Sequence, residues 1–430
     1  MTYKSDTSTW NTKKLKYVTC INSEVLRENK DKEQEISYID ISSVNSDGRI
    51  KKIEKVKFGV APSRARRIVK KGDVIISTVR TYLRAIASIK ENIDDLIVST
   101  GFAVLRAGNE ISPDFLKYAI LNPDFIDKIM ANSKGVSYPA ISSSDLANLA
   151  ISYPYKKETQ DLISRYLNYK TSLIDSLVQK NEKLIKLLEE KKAAIISQTI
   201  TKGLNTDVEM KDSVVEWVGK IPKVWKVEPV SLNFKENKIK NSNLQEKNLL
   251  SLSYGKIIKK NILSNFGLLP ESFSNYQIVE KDCIILRLTD LQNDKRSLRV
   301  GYVPERGIIT SAYIGLTPKS NLNSKYIYYL LHSYDLKKVF YNLGSGVRQS
   351  LTYFDFKKLP LIIPTSEEQE KIVEHVEVGI RKISDSINYI DKQIKLLEEY
   401  RKTLISNVVT GKTDVRDEKI PESGIKYNYA

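Results

Sequence analysis

The chain has 430 residues and a mass of 49.1 kDa, with 41% apolar and 28% charged residues and a net charge of +17. That length suggests two to four domains, and the composition excludes both a single small module and a disordered chain. The surplus of 69 basic over 52 acidic residues points to a polyanion such as nucleic acid or an anionic surface.

Cys20 and Cys283 are the only cysteines, which excludes a disulfide framework and a paired-cysteine metal motif and fits a reducing cytosol. Met1 to Lys16 is polar and basic, and no later segment approaches the ~18 uninterrupted apolar residues of a membrane span. A soluble, cytoplasmic protein that contacts no membrane is expected. His332 and His375 are the only histidines and lie far apart in sequence, so histidine-based catalysis is disfavoured.

The chain repeats itself. Ile185-Lys-Leu-Leu-Glu-Glu190 recurs as Ile394-Lys-Leu-Leu-Glu-Glu399, an offset of 209. The same offset, within one residue, pairs Asp73 with Asp282, Tyr118 with Tyr328, Asp145 with Asp355, Pro154 with Pro364 and Gln160 with Gln369. Each copy opens with strand-like runs: Ile36 to Ile41, Asp73 to Val79 and Ile97 to Leu105 in the first, Ile278 to Leu288 and Gly307 to Leu316 in the second. A helical stretch follows, Pro113 to Met130 or Ser324 to Tyr341.

Each copy then ends in a long helix. Ile380, Ile383, Ile387, Ile390, Ile394, Leu397, Leu404 and Val408 keep a 3-4 spacing, broken where Arg401 takes a seam position. The first copy keeps the phase with Ile174, Val178, Ile185, Leu188 and Ile195, with Asn181 where the second has Ile390. Ser366-Glu-Glu-Gln369 reads as a capping box; Lys157-Glu-Thr-Gln160 keeps only the glutamine.

The predicted architecture is therefore α+β. It comprises a mixed domain (1–154), a long helix (155–205), a linker (206–224), a second mixed domain (225–364), a second long helix (365–412) and a tail (413–430), and both helices carry a coiled-coil period.

Charge is concentrated in the mixed segments, +6 over residues 1–150 and +10 over residues 225–364, sixteen of the seventeen net charges. Residues 51–90 carry twelve basic and two acidic side chains. The candidate DNA contacts of the first copy are Arg64, Arg66, Arg67, Lys70, Arg80 and Arg84, flanked by Lys71. Those of the second are Lys256, Lys259, Lys260, Arg287, Arg296 and Arg299, flanked by Lys295. Their chemistry suits phosphate contact and readout of guanine by arginine; the plain alternative is a solvated surface of a lysine-rich protein. Ser133-Lys134-Gly135-Val-Ser137 and Gly344-Ser-Gly346-Val-Arg348-Gln349 hold corresponding places, and Lys134 and Arg348 join the candidates as loop cations. The second stretch fails as a dinucleotide fingerprint at Gln349, and Gly411-Lys-Thr413 fails as a phosphate-binding loop because Ser406 stands where the first glycine is needed.

With these repeats in hand, the chain resembles the DNA sequence-specificity subunits of type I restriction-modification enzymes. The resemblance covers nearly the whole chain and rests on the tandem basic segments, the two repeated helices, and Val214-Val-Glu-Trp217-Val-Gly219-Lys-Ile-Pro222-Lys-Val-Trp225, Leu249-Leu-Ser-Leu-Ser-Tyr-Gly255-Lys-Ile and Pro364-Thr-Ser-Glu-Glu-Gln369. Met1 to Lys16 keeps Trp10 but lacks the Gly-x-Ile-Pro turn.

The resemblance implies a non-catalytic subunit in which the two mixed domains are target-recognition domains, each reading one half of an asymmetric split target in double-stranded DNA. The two long helices would pair as an antiparallel coiled-coil spacer that sets the gap, with pseudo-two-fold symmetry between the copies. Two equivalent domains would meet major-groove faces about one helical turn, ~34 Å, apart. It implies two methyltransferase and two restriction subunits as partners, which would bring S-adenosylmethionine, ATP and Mg; this chain would carry no cofactor and no metal. The sequence shows no Asn-Pro-Pro-Tyr motif, complete phosphate-binding loop, metal cluster or catalytic triad. Two rivals are a stand-alone architectural DNA-binding protein and a nuclease using Asp73 or Asp282 as metal ligands; a turn role suits both aspartates better.

Overall fold

The computed structural model describes residues 9–27, 31–45, 48–205, 207–260, 272–294, 298–319, 322–343 and 350–421. It divides into two compact units, residues 1–181 with 391–430 and residues 182–390.

The first copy runs β1 (Trp10–Lys14), α1 (Leu15–Val18), β2 (Thr19–Ile21), β3 (Glu35–Ile39), β4 (Glu54–Lys57), β5 (Ala65–Ile68), β6 (Val74–Ser77), β7 (Ile86–Ser88), β8 (Leu96–Ser99) and β9 (Phe102–Ala107). It continues with α2 (Pro113–Leu121), α3 (Pro123–Ala131), α4 (Ser143–Asn148), β10 (Ala150–Pro154) and the long helix α5 (Lys157–Lys202). A hairpin of β11 (Met210–Asp212) and β12 (Lys220–Pro222) follows.

The second copy runs β13 (Lys226–Pro229), α6 (Val230–Asn233), β14 (Phe234–Glu236), β15 (Leu250–Ser253), β16 (Lys256–Lys259), β17 (Gln277–Val279), β18 (Ile284–Leu286), β19 (Val300–Tyr302), β20 (Gly307–Ile309) and β21 (Ile314–Pro318). It closes with α7 (Ser324–Leu336), α8 (Tyr353–Phe356), β22 (Pro360–Ile363) and α9 (Ser366–Val409).

The repeat holds strand by strand. The sheet order β2-β9-β6-β7 recurs as β14-β21-β18-β19, and the pair β1-β10 as β13-β22. The second sheet, β4-β3-β8-β5, has its parallel β3-β8 pairing echoed by the parallel bridge between Leu249 and Ile308, with β16 and β17 in the flanking places.

Several continuous runs in the sequence prove to be two elements. Residues 97–105 split at Thr100-Gly101 because β8 and β9 belong to different sheets, and Gly101 sits so close to Ile41 that a Cβ would lie 2.5 Å from its side chain. Residues 278–288 and 307–316 divide for the same reason. The stretch 113–130 breaks at Asn122, which ends α2 and caps α3, accepting from the Asp124 amide, with Pro123 opening the next helix.

The ladders also refine the register of the repeat. Val74 pairs with Leu105 as Ile284 pairs with Leu316, so the counterpart of Asp73 is Cys283; Asp282 corresponds to Gly72, and both lie at positive φ. Arg106 grips buried Asp73 through two bonds of 2.8 and 2.7 Å, whereas Cys283 faces Thr317 at 3.7 Å. One copy thus uses a charged pair where the other uses a thiol and a hydroxyl.

The glutamines shared by the two copies are not capping-box residues. Gln160 donates to the Glu110 and Pro154 carbonyls and accepts from the Ser112 amide at 2.7 Å; Gln369 donates to the Pro364 carbonyl and accepts from the Asn323 amide at 3.1 Å. Ser112 and Asn323 are the N-caps of α2 and α7, so each glutamine ties the start of a long helix to the start of a domain helix. Both are buried, where unmade bonds would each cost about 1–3 kcal/mol. The hydroxyl that caps α9 is Thr365, which accepts from the Glu368 amide.

Each long helix contributes residues to both units. In the second unit Gly203, just past the end of α5, lies against Glu368 in the first turn of α9, while Ile195 lies beside Gly379, so the helices run antiparallel there. The seam positions Ile383 and Ile390 are buried, whereas Tyr389 off the seam is 64% exposed. In the first unit Arg401 explains its break in the hydrophobic phase. Its Nε meets Asp175 of α5 at 3.2 Å, and Asp175 also receives Arg49 at 3.0 Å.

Both helices stop in the same way. Gly203 and Gly411 have φ of +78° and +72°, and each lies against a tryptophan, Trp225 or Trp10, with no room for a side chain. Trp225 is fully buried and donates from Nε1 to Glu368 at 2.7 Å.

Candidate nucleic-acid interface

In the first copy three segments converge beyond the C-terminal end of β6. Thr78 donates to the Gly101 carbonyl through its amide and hydroxyl, and the Thr100 amide donates to the Arg64 carbonyl. Residues 79–84 then meet a hairpin-like loop, 133–140. The Lys134 and Ala140 amides donate to each other's carbonyls at 2.8 and 2.9 Å, Val79 bridges Ala140, and the hydroxyls of Thr81 and Ser133 are 3.0 Å apart.

This bracing holds four of the candidate cations, Arg64, Arg80, Arg84 and Lys134, at one end of the domain. Arg80 and Arg84 flank a single tight turn, Thr81–Leu83, both with left-handed backbone, φ +51° and +52°. Such a conformation costs a non-glycine residue about 1 kcal/mol, and strain of this kind gathers at functional sites. Arg80 lies over the Tyr138 ring at 4.8 Å, which fixes the plane of its guanidinium fork. Arg64 and Arg84 reach carboxylates only at long range, Asp40 at 3.9 Å and Asp127 at 3.8 Å.

The other candidates of the first copy stand elsewhere. Lys70 precedes β6, separated from Arg80 by the length of that strand, about 13 Å. It pairs with Glu24 at 2.6 Å, and Glu24 also binds Arg106. The hydrogen bond from Lys70, then that from Arg106, hold the Glu24 carboxyl below its usual range. Lys70 is thus part of a structural charge network. Asp73, clasped by Arg106 and by the Lys70 amide, has its oxygens engaged and is not a metal ligand. Arg66 lies over Phe58 at 5.4 Å, and Arg67 is half-buried with its Nε enclosed and unbonded, so burial pushes its pKa down.

The equivalent end of the second copy keeps one of these framing bonds. The Leu351 amide donates to the Leu288 carbonyl at 2.9 Å, as the Ile141 amide donates to the Thr78 carbonyl at 2.9 Å. Arg287 stands at this end and reaches Asp294 at 3.7 Å. Lys256 is nearby, because the hairpin turn at Gly255 packs against Leu298. Lys259 is paired with Glu305 at 2.9 Å towards the far end of β16, with Lys260 beyond it. Arg296 and Arg348, with Lys295 and the glycine-containing segment 344–349, lie outside the described residues.

Arg299 does not face DNA. It is fully buried, and its guanidinium donates to the carbonyls of Thr289 at 2.7 Å, Arg287 at 3.3 Å and Asp290 at 3.4 Å, and to Asp294. It holds the framework of the loop after β18, and an arginine spaced among exposed ones carries no sequence mark of that inward role.

Sequence reasoning also missed side chains between the cations. Val136 is fully exposed, Tyr138 is 64% exposed, and Tyr82 and Leu83 protrude from the facing turn. The compact Gly-Val-Ser-Tyr-Pro run was the available signal, because its glycine and proline mark a sharp projecting loop.

Among the described residues no group of three or more His, Cys, Asp or Glu could hold a metal ion, and no helix is long and apolar enough to cross a membrane. His332 is buried with Nδ1 unbonded, and burial, then nearby Lys192, lower its pKa to about 4.

A duplicated α+β domain, each copy followed by a long helix, with Arg64, Arg80, Arg84 and Lys134 gathered at one loop end of the first copy, is the class of protein that the fold and site define. Residues 7–186 and 237–396 match the type I restriction modification DNA specificity domain, and the chain belongs to that family. It is 24% identical over 360 residues to the type I restriction enzyme MjaIX specificity subunit of Methanocaldococcus jannaschii, covering 82% of this chain and 80% of the relative. It is 28% identical over 132 residues to the HindI specificity subunit of Haemophilus influenzae, a match spanning 30% of this chain and 28% of that protein. A chain from a study of assembly and conformational transition in the type I R-M system shares the fold at a TM-score of 0.71 and 19% identity, over 96% of this chain and 100% of that one. The HsdS subunit from Thermoanaerobacter tengcongensis aligns with a TM-score of 0.50 and 19% identity, over 96% and 99%. The chain is thus a specificity subunit, the DNA-recognition and non-catalytic component of a type I restriction-modification system.

Proposed function

We propose that this chain recognises an asymmetric, bipartite sequence in double-stranded DNA and positions two methyltransferase and two restriction subunits on it. The observation that carries the reading is the loop end framed by the same backbone bond in both copies, Ile141 to Thr78 and Leu351 to Leu288, around different side chains. One frame with two sets of readers suits two unlike half-sites. In this reading S-adenosylmethionine, ATP and Mg belong to the partner subunits, the complex works in the cytoplasm, and α5 and α9 act as the spacer that sets the gap. An architectural DNA binder would need neither two distinct reading ends nor partners.

The spacer role is tested by inserting four residues after Lys180 and mapping adenine methylation in cells that hold the partner subunits. The expected result is an altered gap, or loss of coupling, with each half-site's bases unchanged. An unchanged gap with full modification overturns the spacer role.

A further inference from the structure

The cation-rich end of the first copy carries a feature that phosphate binding does not require. Four apolar or aromatic side chains stand in solvent on two facing loops: Val136 at 102% relative exposure, Tyr138 at 64%, Tyr82 at 48% and Leu83 at 41%. Single exposed apolar residues are ordinary, but a group of them at the end of the domain that also holds Arg64, Arg80, Arg84 and Lys134 suits a partner that is both anionic and apolar. Duplex DNA is such a partner, and the one apolar group on its base edges in the major groove is the 5-methyl of thymine.

We propose that Val136 is a specificity-determining residue that packs against a thymine 5-methyl group in the half-site read by the first copy. Resting on the DNA-recognition reading above, it names one base contact within it. The loop is built for this task. Reciprocal amide bonds between Lys134 and Ala140 close its base, Thr81 and Ser133 pin its side, and Gly135 at φ +105° turns the chain where a Cβ would crowd the Tyr138 carbonyl at 3.3 Å. The tip is therefore held before DNA arrives, and little ordering cost accompanies its entry into a groove. Val136 stands between two small neighbours, Gly135 and Ser137, so its two methyl groups lead. Tyr138 is stacked under Arg80, which leaves the guanidinium beside the tip free to address an adjacent guanine or phosphate.

The test uses the full chain in complex with its modification subunits and the split duplex defined by methylation mapping, with binding followed by fluorescence anisotropy. Each thymine is replaced singly by deoxyuridine, which deletes only the methyl group. One position, confined to one half-site, is expected to bind about fourfold more weakly, the loss of one buried methyl. Val136→Ser should bind the thymine duplex more weakly by a similar factor and be indifferent to deoxyuridine at that position, while Lys134→Ala should weaken every duplex alike. Circular dichroism should show both variants folded, since neither side chain is buried.

Specific binding in which no deoxyuridine has an effect, or in which Val136→Ser keeps the sensitivity, overturns the Val136 contact and leaves the recognition role standing. Failure of the wild-type complex to prefer the split duplex over scrambled DNA overturns both.

Discussion

Replacing Arg299 by methionine separates an interior strut from a DNA contact. The fully buried guanidinium satisfies the Thr289 carbonyl at 2.7 Å and the Asp294 carbonyl, with longer bonds to Arg287 and Asp290. Methionine fills much of the volume but removes the donor at the Thr289 carbonyl and one of the two donors at the Asp294 carbonyl, which keeps Tyr341. It also takes a cation from the Asp294 carboxylate, which keeps Arg287 at 3.7 Å. Hydrogen bonds to a charged group contribute about 1.5–3 kcal/mol each, and opening a buried ionic cluster costs about 3–5 kcal/mol in total. A loss of about 4 kcal/mol is therefore expected. For a unit the size of residues 182–390 this corresponds to a fall in Tm of about 8–16 °C. Differential scanning calorimetry of the full chain should show that unit melting early while the other is unchanged. Unaltered melting together with weakened DNA binding would refute the interior role and restore Arg299 to the DNA face.

Two further outcomes follow from the geometry. Combined alanine substitution of Arg64, Arg80 and Lys134 should weaken DNA binding and lower the slope of log affinity against log salt by about 2.7, whereas Lys70→Ala, which breaks a pair with Glu24, should leave the slope unchanged. His332 has a folded pKa of about 4 against an unfolded value near 6.5, so the unfolded chain binds the proton first. Wild-type stability should therefore fall relative to His332→Leu between pH 6.5 and 4, by up to about 1.4 kcal/mol per unit, and hold level with it above pH 6.5; equal pH profiles in chemical denaturation would contradict the burial of His332.

The duplication was legible in the sequence because both helical seams and a hexapeptide had been kept, and a period of 3.6 with matched phase survives wide change elsewhere. Arg401 looked like a flaw in that period; only a partner remote in sequence, Asp175, reveals it as an ion pair. Strand boundaries were hidden for a different reason. Both sheets bury their strands, so Leu96 to Leu105 reads as one apolar run, and the switch between sheets is marked only by Thr100-Gly101.

The site was half legible. Clustered basic residues pointed to residues 64–84, but charge alone does not distinguish Arg80, set over Tyr138 on a braced loop, from Lys70, which is tied to Glu24, or from Arg299, which is enclosed by carbonyls. Arg80 and Lys70 owe their fates to residues 58 and 46 positions away, and Arg299 owes its own to carbonyls 5 to 12 positions before it, none of which the charge pattern marks. The apolar tip at Val136 escaped notice because one valine in a polar loop has no periodic context, and its meaning comes from the turn that Thr81 and Ser133 bring beside it.

The central claim is that this chain gives a modification complex its DNA sequence. Single-molecule sequencing of adenine methylation should compare DNA from cells expressing the modification partner alone with DNA from cells expressing it together with this chain. The account predicts a new, asymmetric motif of two unlike halves with a fixed gap, present only when this chain is expressed. No new motif, with both proteins expressed and associated, would contradict it.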